Sequence, residues 1–92
     1  MFEQRFLAEF VSREDLYSFG KDRTTGKLYV GIPVRNPYVS YEEYYEVPED
    51  IYQDLIADRQ KAREFVARCR SRELGGLLIL KPGSILGEPI IP

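Results

Sequence analysis

The side chains in this 92-residue chain that could do chemistry are carboxylates and phenols, crowded into one stretch. Between Asn36 and Asp58 there is no Lys or Arg, but there are Glu42, Glu43, Glu46, Glu49, Asp50, Asp54 and Asp58. Tyr38, Tyr41, Tyr44, Tyr45 and Tyr52 are interleaved with them. Glu42, Glu46 and Asp50 could in principle form an acid/base couple or a metal site, but the alternating acidic loop that binds calcium is missing. The chain has no histidine and one cysteine, which removes the commonest general base and a cysteine-based zinc site. Gly20, Gly26 and Gly31 lack the spacing of a phosphate-binding loop, and no serine sits in a nucleophile signature. We therefore expect no enzymatic activity, no cofactor and no metal.

Recognition is the alternative use of such residues. Tyrosines offer rigid contact area, and carboxylates beside them attract cations. The expected docking surface comprises Tyr38, Tyr41, Glu42, Tyr44, Glu46, Tyr52 and Asp54, facing a protein partner of basic character. That suits an inhibitor, immunity or adaptor role. A second expectation comes from Arg59–Arg72, where Arg59, Lys61, Arg63, Arg68, Arg70 and Arg72 face only Glu64. At about 100° per residue these cations flank an apolar stripe. Arg59, Arg63 and Arg70, on one flank, could contact nucleic-acid phosphates. The bland reading of the same run is long stems covering the core edge with their heads in water.

These residues must be carried by a small number of elements. Pro48 pushes Val47 out of the α region and suits a first helical turn. Glu49 and Asp50 then complement the positive end of a helix dipole. Ile51, Leu55, Ala62, Phe65, Val66 and Cys69 form one helical stripe, interrupted by Asp58. Asp58 is a good N-cap, so the pattern predicts helices over 49–57 and 59–72, ended by Gly75-Gly76. Cys69 falls on the core side, as a small hydrophobe.

Lys27–Val34 alternates clearly, with Leu28, Val30, Ile32 and Val34 on one face. With Asp15–Lys21 it predicts a hairpin turning through Asp22–Gly26. A third strand ends at Val47. Val39, Tyr41, Glu43, Tyr45 and Val47 form its expected core face, with Glu43 the awkward member. Leu77–Leu80 reads as a fourth strand. Phe2, Phe6, Leu7, Phe10 and Val11 fit a helix face, although Phe6, Ala8 and Phe10 also alternate as in a strand; helix is the preferred reading. Ser12–Asp15 is a capped turn or a polar connector.

The fold class that follows is α+β: an antiparallel sheet of three to four strands on one or two helices, in a single domain spanning 1–92. Residues 82–92 read as an extended tail, and Ile85–Pro92 or an open sheet edge could serve a homodimer. A net charge of −2 argues against bulk attraction to nucleic acid or an anionic membrane. The first residues carry Glu3 and Arg5, unlike a secretory signal, and no apolar run is long enough to span a bilayer. Together with the lone cysteine this suggests a cytoplasmic protein.

The run Gly26-Lys27-Leu28-Tyr29-Val30, then Tyr45-Glu46-Val47-Pro48, then Ile51-Tyr52 and Leu55, resembles the KTSC domain. That is a small module found alone and at the C-terminus of some lysyl-tRNA synthetases. The likeness spans Tyr17–Phe65 and consists of hydrophobic spacing plus a Val-Pro helix entry. The chain has Asn36-Pro37 where that family turns with glycine, and lacks a Ser-x-Gly stretch near Arg59–Arg63. The resemblance implies a strand–strand–helix layout and association with nucleic acid.

Overall fold

A computed structural model of the chain describes residues 5–80 and 87–92. Four antiparallel strands run in sequence order: β1 (Phe6–Ser12), β2 (Tyr17–Asp22), β3 (Leu28–Arg35) and β4 (Ser40–Glu46). Two helices follow, α1 (Glu49–Ala57) and α2 (Arg59–Arg70), then a 3-10 turn over Gly75–Leu77. A two-residue strand, β5 (Glu88–Pro89), pairs with Val34 and Arg35 of β3, beyond the point where β2 stops. The α+β class read from the sequence is the observed one.

Both helices cover one face of the sheet. Phe19, Val30, Ile32, Val34 and Tyr45 from the strands, with Val47 just past β4, meet Tyr52, Leu55, Ala62, Phe65, Val66 and Cys69 from the helices. The break at Asp58 arises as the sequence predicts: its carboxylate accepts from the backbone N–H groups of Gln60 and Lys61, satisfying two orphan donors of α2. Pro48 precedes α1 in extended geometry, with Glu49 and Asp50 in its first turn. The β2–β3 turn closes on Gly26 at φ 77°, a left-handed conformation natural to glycine. Burial pushes the Cys69 thiol up to about 12, so it packs as a neutral apolar group.

Four expectations are corrected. The preferred N-terminal helix is a strand. The alternation of Phe6 and Ala8 prevails because β1 can pair along the whole of β2, and a non-local ladder outweighs local helix propensity. The expected hairpin strand over Asp15–Lys21 is shifted to Tyr17–Asp22, with residues 13–16 forming a turn in which Ser12 Oγ accepts from the Asp15 N–H. The Leu77–Leu80 strand is not formed. Leu77 ends the 3-10 turn, Leu78 makes a single bridge to Tyr45, and Ile79 donates its N–H to the Tyr44 carbonyl. Of the expected tail, residues 82–86 lie outside the described residues.

The fourth correction concerns the end of α2. The helix ends at Arg70, before the double glycine. Arg72 takes the left-handed conformation at φ 69°. Its N–H bonds Cys69 O, and the Glu73 N–H bonds Arg68 O, the paired bonds of a Schellman cap. A left-handed arginine costs about 1–2 kcal/mol. What holds it there is its side chain, which reaches the buried Glu43 carboxylate, the Tyr45 hydroxyl and the Gly87 carbonyl. Glu43, the awkward member of the core face, is only 4% exposed and is matched by this guanidinium.

Removing one member of a buried ion pair is far more costly than removing both. Arg72→Gly relieves the backbone but strands the Glu43 carboxylate, so we expect a net loss of about 3 kcal/mol in urea unfolding. Adding Glu43→Met should recover most of that loss. A double variant no more stable than Arg72→Gly would show that the pair is not what holds the cap.

Candidate functional site: an uncovered concave sheet face

The face of the sheet turned away from the helices carries Phe6, Ala8, Ser18, Gly20, Tyr29, Gly31, Pro33, Glu42 and Tyr44 by strand register. Phe6 belongs to the first strand and Tyr44 to the fourth, yet their rings stack at 3.6 Å with 2° between planes. In a flat sheet those strands would lie roughly 14 Å apart, three spacings of about 4.8 Å. Both rings lean inward across the intervening glycines and the sheet curls toward this face, which is concave. Tyr29 stands edge-on to both rings, at 5.5 and 5.0 Å.

Two glycines make the curl. A Cβ on Gly20 would lie 2.1 Å from the Leu7 carbonyl and 2.7 Å from the Tyr29 hydroxyl oxygen; one on Gly31 would lie 2.9 Å from Ser18 Oγ and 3.3 Å from the Tyr44 ring. Close approach of backbone and rings is the use of a strand glycine. Beside the aromatic trio lies an open cavity of about 440 Å³, lined among others by Ala8, Val11, Ser18, Pro33, Glu42 and Arg13. Glu42 is exposed at its mouth, where its carboxylate accepts from the Tyr44 hydroxyl at 2.8 Å. Burial and that carboxylate both hold the Tyr44 phenol well above its usual range. Burial, reinforced by the Glu42 charge, pushes Tyr29 up to about 12. Both phenols are therefore neutral donors or acceptors.

The seven expected docking residues do not share one surface. Glu42, Tyr44 and Glu46 lie on the concave side, Glu46 with Lys27 at 3.4 Å. Tyr41 packs against the core, and its hydroxyl accepts from the Gly87 N–H. Tyr38 projects from the β3–β4 turn, 77% exposed, its N–H caught by Asn36 Oδ1. Tyr52 is buried beneath α1, edge-on to Phe19 and donating to Glu9 at 2.7 Å. Asp54 is exposed on α1, away from the concave face. Phe6, Ala8, Val11, Ser18, Tyr29 and Pro33 were not expected here. The alternation that puts Tyr29 opposite Val30 is visible in the sequence; which face the helices leave open is not.

Arg59, Arg63 and Arg70 do share one flank of α2, and they all reach the β1–β2 turn. Arg59 and Arg63 bind the Asp15 carboxylate, Arg59 also takes Glu14, and Arg70 donates to the Asp15 and Leu16 carbonyls. Leu16 sits at φ 53° under this clamp. The hydrogen bonds from Arg59 and Arg63 hold the Asp15 carboxyl down at about 2. Asp22 organises the next turn in the same manner: Arg5 grips it with two bonds, and the Thr24 N–H and Thr25 hydroxyl add two more. Arg5 and the turn donors hold its carboxyl far below the usual range. Among the described residues no group of three or more carboxylate or cysteine side chains is placed to hold a metal ion, and no helix is long and apolar enough to cross a membrane. No protein-family model, curated protein or solved structure matches the chain.

Two expectations follow. Gly31→Ala crowds Ser18 Oγ and presses on the Tyr44 ring, and should destabilise the chain by about 1–3 kcal/mol, with altered ring-current shifts between Tyr44 and Phe6 in its proton spectrum. Asp15 has a depressed carboxyl, so its contribution is present above the unfolded value near 3.8 and fades as pH falls toward about 2. Asp15→Asn should flatten the acid limb of the urea midpoint between those values. An unchanged limb would show the clamp contributes nothing.

Proposed function

We propose that this chain is a non-enzymatic protein-interaction module that docks a partner protein on the concave face of its sheet. The observation that carries this reading is an aromatic floor left uncovered by the helices, the half-buried rings of Phe6 and Tyr44 packed over the buried Tyr29, closed on one side by the Glu42 carboxylate. Concave aromatic surfaces with a few placed polar groups are the usual shape of binding sites. The Tyr44 hydroxyl fixes the Glu42 carboxylate, so a partner cation meets a pre-oriented acceptor and little side-chain freedom is lost on binding. The partner therefore offers apolar side chains to the floor and a lysine or arginine to Glu42. Rigid aromatic side chains of this kind are typical anchors of interfaces.

The test is amide chemical-shift mapping of the full chain against synthetic peptides that place one lysine or arginine between apolar residues, with acidic and uncharged counterparts. Shifts should concentrate at Ala8, Ser18, Tyr29 and Tyr44. Glu42→Lys should weaken the basic peptides roughly tenfold and leave the fold intact. Shifts confined to the outer face of α2, or none on the concave face at millimolar peptide, would end this reading.

A further inference from the structure

The concave face is bounded by β1, and β1 is the open edge of the sheet. Its one partner is β2; among the described residues no segment pairs with its outer side. The opposite edge is treated differently, since Ile79 and Leu78 close the outer side of β4 at Tyr44 and Tyr45. Residues 7–11 are all exposed, and Leu7, Phe10 and Val11 are 48%, 41% and 59% exposed. An edge of unpaired backbone groups carrying apolar side chains is a template for another strand.

Two cavities flank this edge, one on each side of the sheet. The first is the concave cavity described above. The second, also about 440 Å³, lies on the helix side between Phe10, Tyr17 and Ile56. Val11, Ser12, Arg13 and Tyr17 line both. Side chains of a strand alternate between faces, so a strand laid along β1 would send successive residues into the two cavities in turn. Recognition by strand addition works this way, with main-chain bonds supplying affinity and alternate pockets supplying specificity. A bulge between Ala8 and Phe10 interrupts the register, so continuous pairing falls on Phe10–Ser12, where the cavities meet.

The charges indicate the occupant. Glu14, at the rim of the second cavity, is matched by Arg59 at 2.7 Å. Arg13 forms no ion pair among the described residues and stands at both cavities. We infer that β1 accepts an extended segment of a protein partner by strand addition, with apolar side chains at alternate positions and a carboxylate facing Arg13. This rests on the protein-interaction reading of the concave face.

The probes are an acetylated octapeptide of alternating valine and threonine with one central glutamate, the same peptide with lysine in its place, and the glutamate peptide N-methylated at either alternate set of residues. At the β1 edge, read by the protection of Phe10–Ser12, the glutamate form should bind at least tenfold tighter than the lysine form, whose cation is drawn instead to Glu42. Arg13→Glu should reverse that order while leaving the far-UV spectrum unchanged. N-methylation of one alternate set should abolish binding and of the other should not, and the amides of Phe10–Ser12 should gain protection from hydrogen exchange. Indifference to N-methylation at both sets overturns strand addition, even where basic peptides still shift Ala8 and Tyr44 and the concave-face reading stands. A chain that dimerises without peptide and protects the same amides assigns the edge to a second copy and also overturns it.

Discussion

A carboxylate buried in the core has to be matched, and the solution adopted for Glu43 organises much of the molecule. Its partner, Arg72, is the residue that ends α2, so the pair fixes where the second helix stops relative to the fourth strand. The same guanidinium reaches the Gly87 carbonyl, which brings the C-terminal segment to the position where β5 joins β3. Burial of a charge without such a partner costs several kcal/mol. That cost makes this arrangement specific: moving the helix end, the strand or the tail would expose an unmatched charge. The left-handed backbone of Arg72 is tolerated because the side chain it delivers has no substitute.

The concave face depends on a different constraint. Small residues at Gly20 and Gly31 let the sheet curl until the rings of its first and fourth strands touch. The helices complete the curl from outside, and the arginines of α2 clamp the turn from which β1 descends. Cations that look available in the sequence are thus engaged in holding β1 and β2 in place. The acidic turn residues Asp15 and Asp22 are structural hubs for the same reason: each gathers donors that would otherwise be unsatisfied.

Local signals in the sequence were legible where local physics decides. Pro48, the acidic first turn of α1 and the Asp58 cap set both helix starts, and alternation set β3 and the buried side of β4. Apart from the start of β2, where the local Ser12–Asp15 turn decides, the failures are non-local. Phe6 and Phe10 satisfy a helical and an extended period alike, and pairing with β2 decides between them. Gly75-Gly76 is the obvious stop after α2, but Arg72 stops it earlier because of Glu43, which lies 29 positions away. Leu77–Leu80 has the composition of a buried strand but meets only a short part of β4. Tyrosines clustered in the sequence need not cluster in space: Tyr44 and Tyr45 are adjacent in β4, so one faces the open side and the other the core.

Cys69 gives this fold a built-in reporter. Its thiol is fully enclosed between α2 and the sheet and held in its neutral, unreactive form. An alkylating reagent can reach it only when α2 lifts away, so the rate of labelling counts openings of the layer that covers β3 and β4. The concave side could be occupied, altered or left empty without touching that sulfur. A partner bound there slows labelling by lowering the population of opened forms, so the native thiol reports its binding with no engineered label in the chain.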